Sequence, residues 1–232
     1  MKPNSITFSC ADDSIFENFP PVPASRIIPD WYKEIPPFAK LEKNYIPTDN
    51  IGSVKKCMPV LDYMVSGYVI INPFQSVITG KQENGFHAAD HASAKKDYIG
   101  SQPYQQCPVP VHDKKNHYVK IHQPWLVKTP PGYSSFFYQP HYLFNKDIEI
   151  LPGIVDTDTF TEPVSLVSIL HADSVILQPG DPLVVVFPFK RDAWQMKLKK
   201  TDHLSTSYFK FMLLRLWHGT YQRLIHNKKQ FH

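Results

Sequence analysis

Between Leu151 and Arg191 the chain alternates turn signals with short apolar runs, and few folds accept that order. Pro152-Gly153 opens the stretch as a turn. Ile154-Val155 follows as a β-branched pair, and then Asp156 and Asp158 stand two residues apart. Val164 to Leu170 is an apolar-rich run with strand propensity. Gln178-Pro-Gly-Asp181 makes a second turn, and Leu183 to Phe187 is another apolar strand. Short strands joined by tight corners make a compact all-β unit.

Composition points the same way. Proline, at 22 residues against 9 glycines, breaks helices and marks turns and extended segments. Hydrophobic residues at 42% and charged residues at 20% of 232 positions allow a packed core and argue against wholesale disorder. The whole chain, 1–232, reads as a single domain with appendages.

Residues 1–53 read as an irregular Pro-rich arm. Ile6 to Cys10 could be a short strand, whereas Phe19-Pro-Pro-Val-Pro23 can be neither a central strand nor a helix interior. Pro29 to Pro37 holds room for one helical turn, with Asp30 as its cap. The core is placed at 54–195. Lys55 to Ser66 reads as a short amphipathic helix stopped by Gly67, and strands follow at Tyr68–Ile71 and Gln75–Thr79. Residues 80–117 are polar and His-rich, and read as a long loop. Strands are expected again at Val119–His122, Trp125–Lys128 and Tyr133–Gln139, with Thr129-Pro-Pro-Gly132 as a turn. From about Ser205 apolar residues recur at 3–4 spacing, from Phe209 to Leu224, so a C-terminal α-helix is expected over 203–230.

Several of these segments resemble motifs of the dUTPase and dCTP-deaminase superfamily. Gly153-Ile-Val-Asp-Thr-Asp158 is similar to that family's Gly-Val-Ile-Asp-x-Asp-Tyr, and Gly180-Asp-Pro-Leu-Val-Val-Val186 to its Gly-Asp-Arg-Ile-Ala-Gln-Leu. Ser66-Gly-Tyr-Val-Ile70 resembles Ala-Gly-Tyr-Asp-Leu, and Gln139-Pro-His-Tyr142 stands where Ala-Pro-Arg-Ser would. The resemblance covers roughly residues 66–189. It implies an all-β, dUTPase-like β-clip, a distorted β-barrel, assembled as a homotrimer with sites between subunits.

The departures from those motifs fall on chemistry. Val69 replaces the first-motif acid, His141 the phosphate-binding Arg, Tyr142 the Ser, and Thr159 the aromatic residue. The whole chain also resembles proteins of tailed bacteriophages, in runs such as Lys56-Cys-Met-Pro-Val-Leu-Asp62 and Pro188-Phe-Lys-Arg191. That implies a viral protein made in the host cytoplasm. The scattered Cys10, Cys57 and Cys107, with no apolar run of spanning length, agree with reduced thiols and no membrane.

The function expected from these readings is a non-catalytic, nucleotide-binding, anti-defense protein that sequesters a host nucleotide or nucleotide-derived immune signal. Candidate ligand-binding residues are Tyr133, Gln139, His141, Tyr142, Asp156, Asp158, Lys190 and Arg191, in which rings can stack on a base and cations meet phosphate. One alternative is a divergent nucleotide pyrophosphatase or deaminase using Asp156 as a general base, with Mg²⁺. Another is a virion structural protein or a host-factor-binding β-clip trimer.

His87 and His91 flank Asp90, and on a helix they could share a metal-binding face, but the Glu of the His-Glu-x-x-His signature is missing, so neither a metal site nor a cofactor is expected. From Lys190 onward ten Lys or Arg face two acids, a basic tail suited to an anionic partner or to a solvated helix face. No nucleic-acid recognition motif appears, and none is expected to bind.

Overall fold

β-Branched and aromatic residues build the described core of this chain from antiparallel strands. A computed structural model describes residues 4–39, 51–83, 86–107, 117–143, 146–200 and 220–232. In chain order its strands are β1 (Thr7–Ser9), β2 (Val22–Pro23), β3 (Phe38–Ala39), β4 (Ile51–Gly52), β5 (Tyr68–Ile71), β6 (Ser76–Glu83), β7 (Phe86–Ser93) and β8 (Ile99–Ser101). There follow β9 (His117–His122), β10 (Leu126–Lys128), β11 (Tyr133–Tyr138), β12 (Ile148–Ile150), β13 (Gly153–Val155), β14 (Ser165–Leu170), β15 (Ser174–Leu177) and β16 (Pro182–Lys190). The α-helices are α1 (Asp13–Asn18), α2 (Asp30–Glu34), α3 (Met58–Val65) and α4 (Thr220–Leu224). The chain is thus all-β with a few short helices. No closed barrel forms among the described residues, and none of their helices is long and apolar enough to cross a membrane.

Contacts divide the chain into two compact units, Met1–Ala24 with Gly67–Arg191 and Ser25–Ser66 with Asp192–His232. The first unit holds a five-stranded sheet in the order β13-β11-β16-β5-β2, a four-stranded sheet β12-β14-β9-β8, a three-stranded sheet β15-β6-β7, and the pair β1-β10. In β16 the run Leu183 to Val186 is buried at every position, because this central strand is covered on both faces. β11 shows a looser in-and-out pattern beside it. β2 carries Pro23 and takes the sheet's edge, where a missing N–H costs nothing.

Gly67, just before β5, has φ +88°, and a Cβ there would come 2.7 Å from the Val186 carbonyl oxygen, so only glycine fits. Trp125 anchors the core, with its backbone bracketed by the buried Gln123 amide at 2.8 Å in both directions. Buried Asn72 accepts from the Tyr98 hydroxyl at 2.7 Å and donates to the Gln178 carbonyl at 2.7 Å, and burial pushes the Tyr98 phenol far up.

The segment read as a polar loop from residue 80 is instead a long hairpin. β6 and β7 pair from Ser76↔Ser93 to Glu83↔Phe86. Cross-strand backbone bonds supply the order that apolar alternation does not. In the rest of that expected loop, 108–116 lies outside the described residues.

In the second unit, α2 begins at Pro29 without a side-chain cap, and Asp30 instead pairs with Lys33 at 2.8 Å. The Lys55 ammonium lies 5.9 Å from the centroid of the Tyr32 ring, whose phenol is pushed up by burial and then by Cys57. Of the C-terminal helix expected over 203–230, residues 203–219 lie outside the described residues. The helical part that is described ends at Leu224, and 226–232 is irregular.

Candidate functional site

β11 and β13 are antiparallel neighbours, and β16 lies on the other side of β11. This order brings the turn before β11, the turn after β13 and the end of β16 to one corner of the sheet. Gly132 leads into β11 with φ +85°, the left-handed conformation that the Pro130-Pro131-Gly132 turn requires. Its carbonyl accepts from the Arg191 backbone N–H at 2.9 Å, which fixes where β16 ends.

After β13 the chain turns tightly, with the N–H groups of Thr159 and Phe160 both donating to the Asp156 carbonyl. Buried Thr157 sits in that turn, its hydroxyl 2.9 Å from Ser135 Oγ and 2.7 Å from Thr129 Oγ1. With Thr157 pointing in, Asp156 and Asp158 on either side of it both reach Arg191. The Arg191 guanidinium makes a fork with Asp158, Nη1 to Oδ1 at 2.9 Å and Nη2 to Oδ2 at 2.5 Å. Nη1 also reaches Asp156 Oδ1 at 3.1 Å, Ser134 Oγ at 3.1 Å and the Tyr133 carbonyl at 3.0 Å. Ser134 Oγ donates to Asp156 Oδ1 at 2.6 Å, and the Gly132 N–H donates to Asp158 Oδ2 at 2.9 Å.

The two carboxylates differ in setting. The Asp158 side chain is 6% exposed and the Asp156 side chain 62%. The Arg191 fork, then the Gly132 N–H, hold the Asp158 carboxyl down at about 2, against an ordinary 3.8. A depressed carboxyl stabilises the fold above its unfolded value, and that contribution is lost as pH falls from about 4 toward about 2. Wild-type protein is therefore expected to keep this corner ordered through pH 4, whereas Asp158→Asn, with no proton to take up, loses that part of the acid dependence. Near-UV circular dichroism along a pH titration reads the difference.

Of the residues expected to bind ligand, Tyr133, Asp156, Asp158 and Arg191 come together here, with Lys190 adjacent and in register with Tyr133. The Tyr133 hydroxyl accepts from the Asn4 amide at 2.5 Å. Gln139, His141 and Tyr142 do not join them. They lie past the far end of β11, about 20 Å of extended chain away. Both ends of the Gln139 amide serve backbone, donating to the Ile148 carbonyl at 2.9 Å and accepting from the Ile150 N–H at 3.0 Å. His141 and Tyr142 form a short 3-10 turn with their rings edge to face at 5.5 Å. Ser134 and Gly132, which are not among the candidate binding residues read from the sequence, complete the corner.

The Arg191 guanidinium is held by both carboxylates, so a divalent cation bridging Asp156 and Asp158 would have to displace it. His87, Asp90 and His91 lie on β7, where positions four apart stand about 13 Å from each other rather than one helical turn. Among the described residues no three His, Cys, Asp or Glu side chains converge.

The second unit has a cavity of about 640 Å³ between α3 and the C-terminal residues, with Met58, Leu61 and Val65 on one wall and His226 and Lys229 on the other. Asp62 accepts from His226 Nε2 at 2.8 Å and pairs with Lys229 Nζ at 2.8 Å. Burial raises the Asp62 carboxyl, but the bonds from Lys229 and His226 together outweigh it and hold the group below its ordinary value.

No family model matches this chain, and no curated protein sequence matches it. Among solved structures, the native EIAV dUTPase aligns with it at 10% identity and a TM-score of 0.33, over 61% of this chain and 87% of that one. A TM-score that low does not establish a shared fold.

Proposed function

We propose that this chain is a non-catalytic binding protein for a phosphate-bearing nucleotide, carried on a dUTPase-like β-clip that assembles as a homotrimer. Its setting is a phage-infected host cytoplasm, where holding a host nucleotide or nucleotide-derived signal would blunt a defence response. The observation that carries this reading is the asymmetry of the acids around Arg191. Asp158, buried and bidentate, locks the guanidinium in one orientation from behind. Asp156, exposed and bound through one oxygen, is the partner that a phosphate oxygen can replace. Guanidinium groups bind phosphate with the same two-pronged geometry that they use for carboxylate. Phe160, exposed on the same turn, offers a face for a base.

In the hydrolase alternative Asp156 would act as base through Oδ2, since Oδ1 already accepts from Ser134 and Arg191.

Calorimetric titration of the full chain with a panel of nucleoside mono-, di- and triphosphates and cyclic nucleotides tests the proposal. Asp156→Asn removes a negative charge beside the incoming phosphate, and its affinity is expected to rise by roughly threefold, since two charges about 6 Å apart in a watery setting interact by about 0.7 kcal/mol. The hydrolase alternative expects metal-dependent turnover that Asp156→Asn abolishes. A wild-type chain that binds nothing in the panel, or a variant with weakened binding, counts against the proposal.

A further inference from the structure

The described chain leaves one apolar stripe with no cover. Asp192 to Lys200 has no regular structure, and within it Trp194, Met196 and Leu198 are 90%, 83% and 89% exposed. Their spacing of two puts all three on one side of an extended backbone, with Gln195, Lys197 and Lys199 on the other. Single exposed apolar residues are ordinary, but three large ones in strand register form a surface made to be covered.

We propose that this segment is a donor strand that docks on the outer edge of β13 in a second copy of the chain. β13 is the terminal strand of the five-stranded sheet, and among the described residues no strand pairs with its outer side. Its Ile154, and Phe160 just beyond it, are large apolar side chains left exposed. Exposed Asp156 and Glu162 follow β13 in the chain, and the donor segment carries Lys197, Lys199 and Lys200. Apolar stripe therefore meets apolar edge, and basic flank meets acidic flank, between two parts of the same sequence. An open strand edge supplies main-chain partners to such a segment, and its side chains supply selectivity. The contact joins two different surfaces, so it closes either as a ring or as a reciprocal exchange between two copies. It is drawn from exposure and sheet order, and it does not depend on the nucleotide reading.

Sedimentation velocity of the full chain, without added ligand, tests it. Wild-type protein is expected to sediment as a discrete oligomer. The combined change Trp194→Ser, Met196→Ser and Leu198→Ser is expected to give monomers with an unaltered far-UV spectrum, because these side chains are 83–90% exposed and lie outside regular structure. Ile154→Lys is expected to give monomers as well. Mixing the two variants is expected to restore paired species, since each retains the surface that the other lacks. A monomeric wild type, or oligomers that survive the arm changes, would overturn the proposal. Oligomers that survive Ile154→Lys would overturn the choice of β13 as acceptor.

Discussion

Val69→Asp is expected to destabilise the first unit by about 3–5 kcal/mol, the cost of a buried charge left without a partner. Val69 is completely buried in β5 and stands in register with Val185 on one side and Val22 on the other. The dUTPase motif places an acid at this position, so the substitution restores the motif on paper. Both residues in register with this position are valines, and neither can receive the charge. A typical domain has only about 5–15 kcal/mol in all, so the variant should show a greatly lowered denaturation midpoint or no cooperative transition. Chemical denaturation followed by tryptophan fluorescence measures it. A variant as stable as wild type would mean that Val69 faces a polar site, which would revive a metal-assisted reading.

Arg191→Ala carries the second large effect. It removes the fork from Asp158 and the single bond from Asp156, and leaves two neighbouring carboxylates with Ser134 and the Gly132 N–H as their remaining donors. Nucleotide affinity is expected to fall by about 10- to 100-fold, the worth of a charge-assisted hydrogen bond of about 1.5–3 kcal/mol. Arg191→Lys is expected to recover little of it, because an ammonium cannot bind a carboxylate and a phosphate in one planar geometry. The Asp158 carboxyl loses its main depressing cause, so the acid transition of the variant should begin at higher pH than that of wild type. Titration calorimetry gives the first quantity and near-UV dichroism the second.

Much of the sheet framework was legible because backbone and side chains there ask for the same thing. The Pro-Gly turn at 179–180, the alternation in β11 and the continuous apolar run of β16 each name their own structure, whereas the turn expected at Pro152-Gly153 is instead a passage from β12 in one sheet to β13 in another, with Gly153 as the first residue of β13. Phe19 to Pro23 was excluded from a central strand and read as part of an irregular arm, and the structure gives Val22-Pro23 a short strand at the sheet's edge. The β6–β7 hairpin was illegible for the opposite reason. Lys81, Gln82, Asp90 and His91 carry no apolar pattern, and the strands are aligned by main-chain pairing along their whole length, with Ile78 buried in the core and Lys81 paired with Asp90. At the site, the acids and Arg191 stood out as charges beside turns. Their pairing did not, because it depends on β11 lying between β13 and β16, which no local pattern encodes. Ser134 and Gly132 contribute a hydroxyl and an N–H, groups present throughout the chain. Gln139 misled because an amide suited to a base is equally suited to backbone, and backbone is what it meets.

Native mass spectrometry of the full chain, purified gently from expressing cells, tests the central claim most directly. Binding of a phosphate-bearing nucleotide at Arg191 predicts protein carrying an adduct of nucleotide mass, and the same preparation of Arg191→Ala without it. A bare wild-type chain that also takes up no nucleotide on titration, or an adduct that Arg191→Ala retains unchanged, would contradict it.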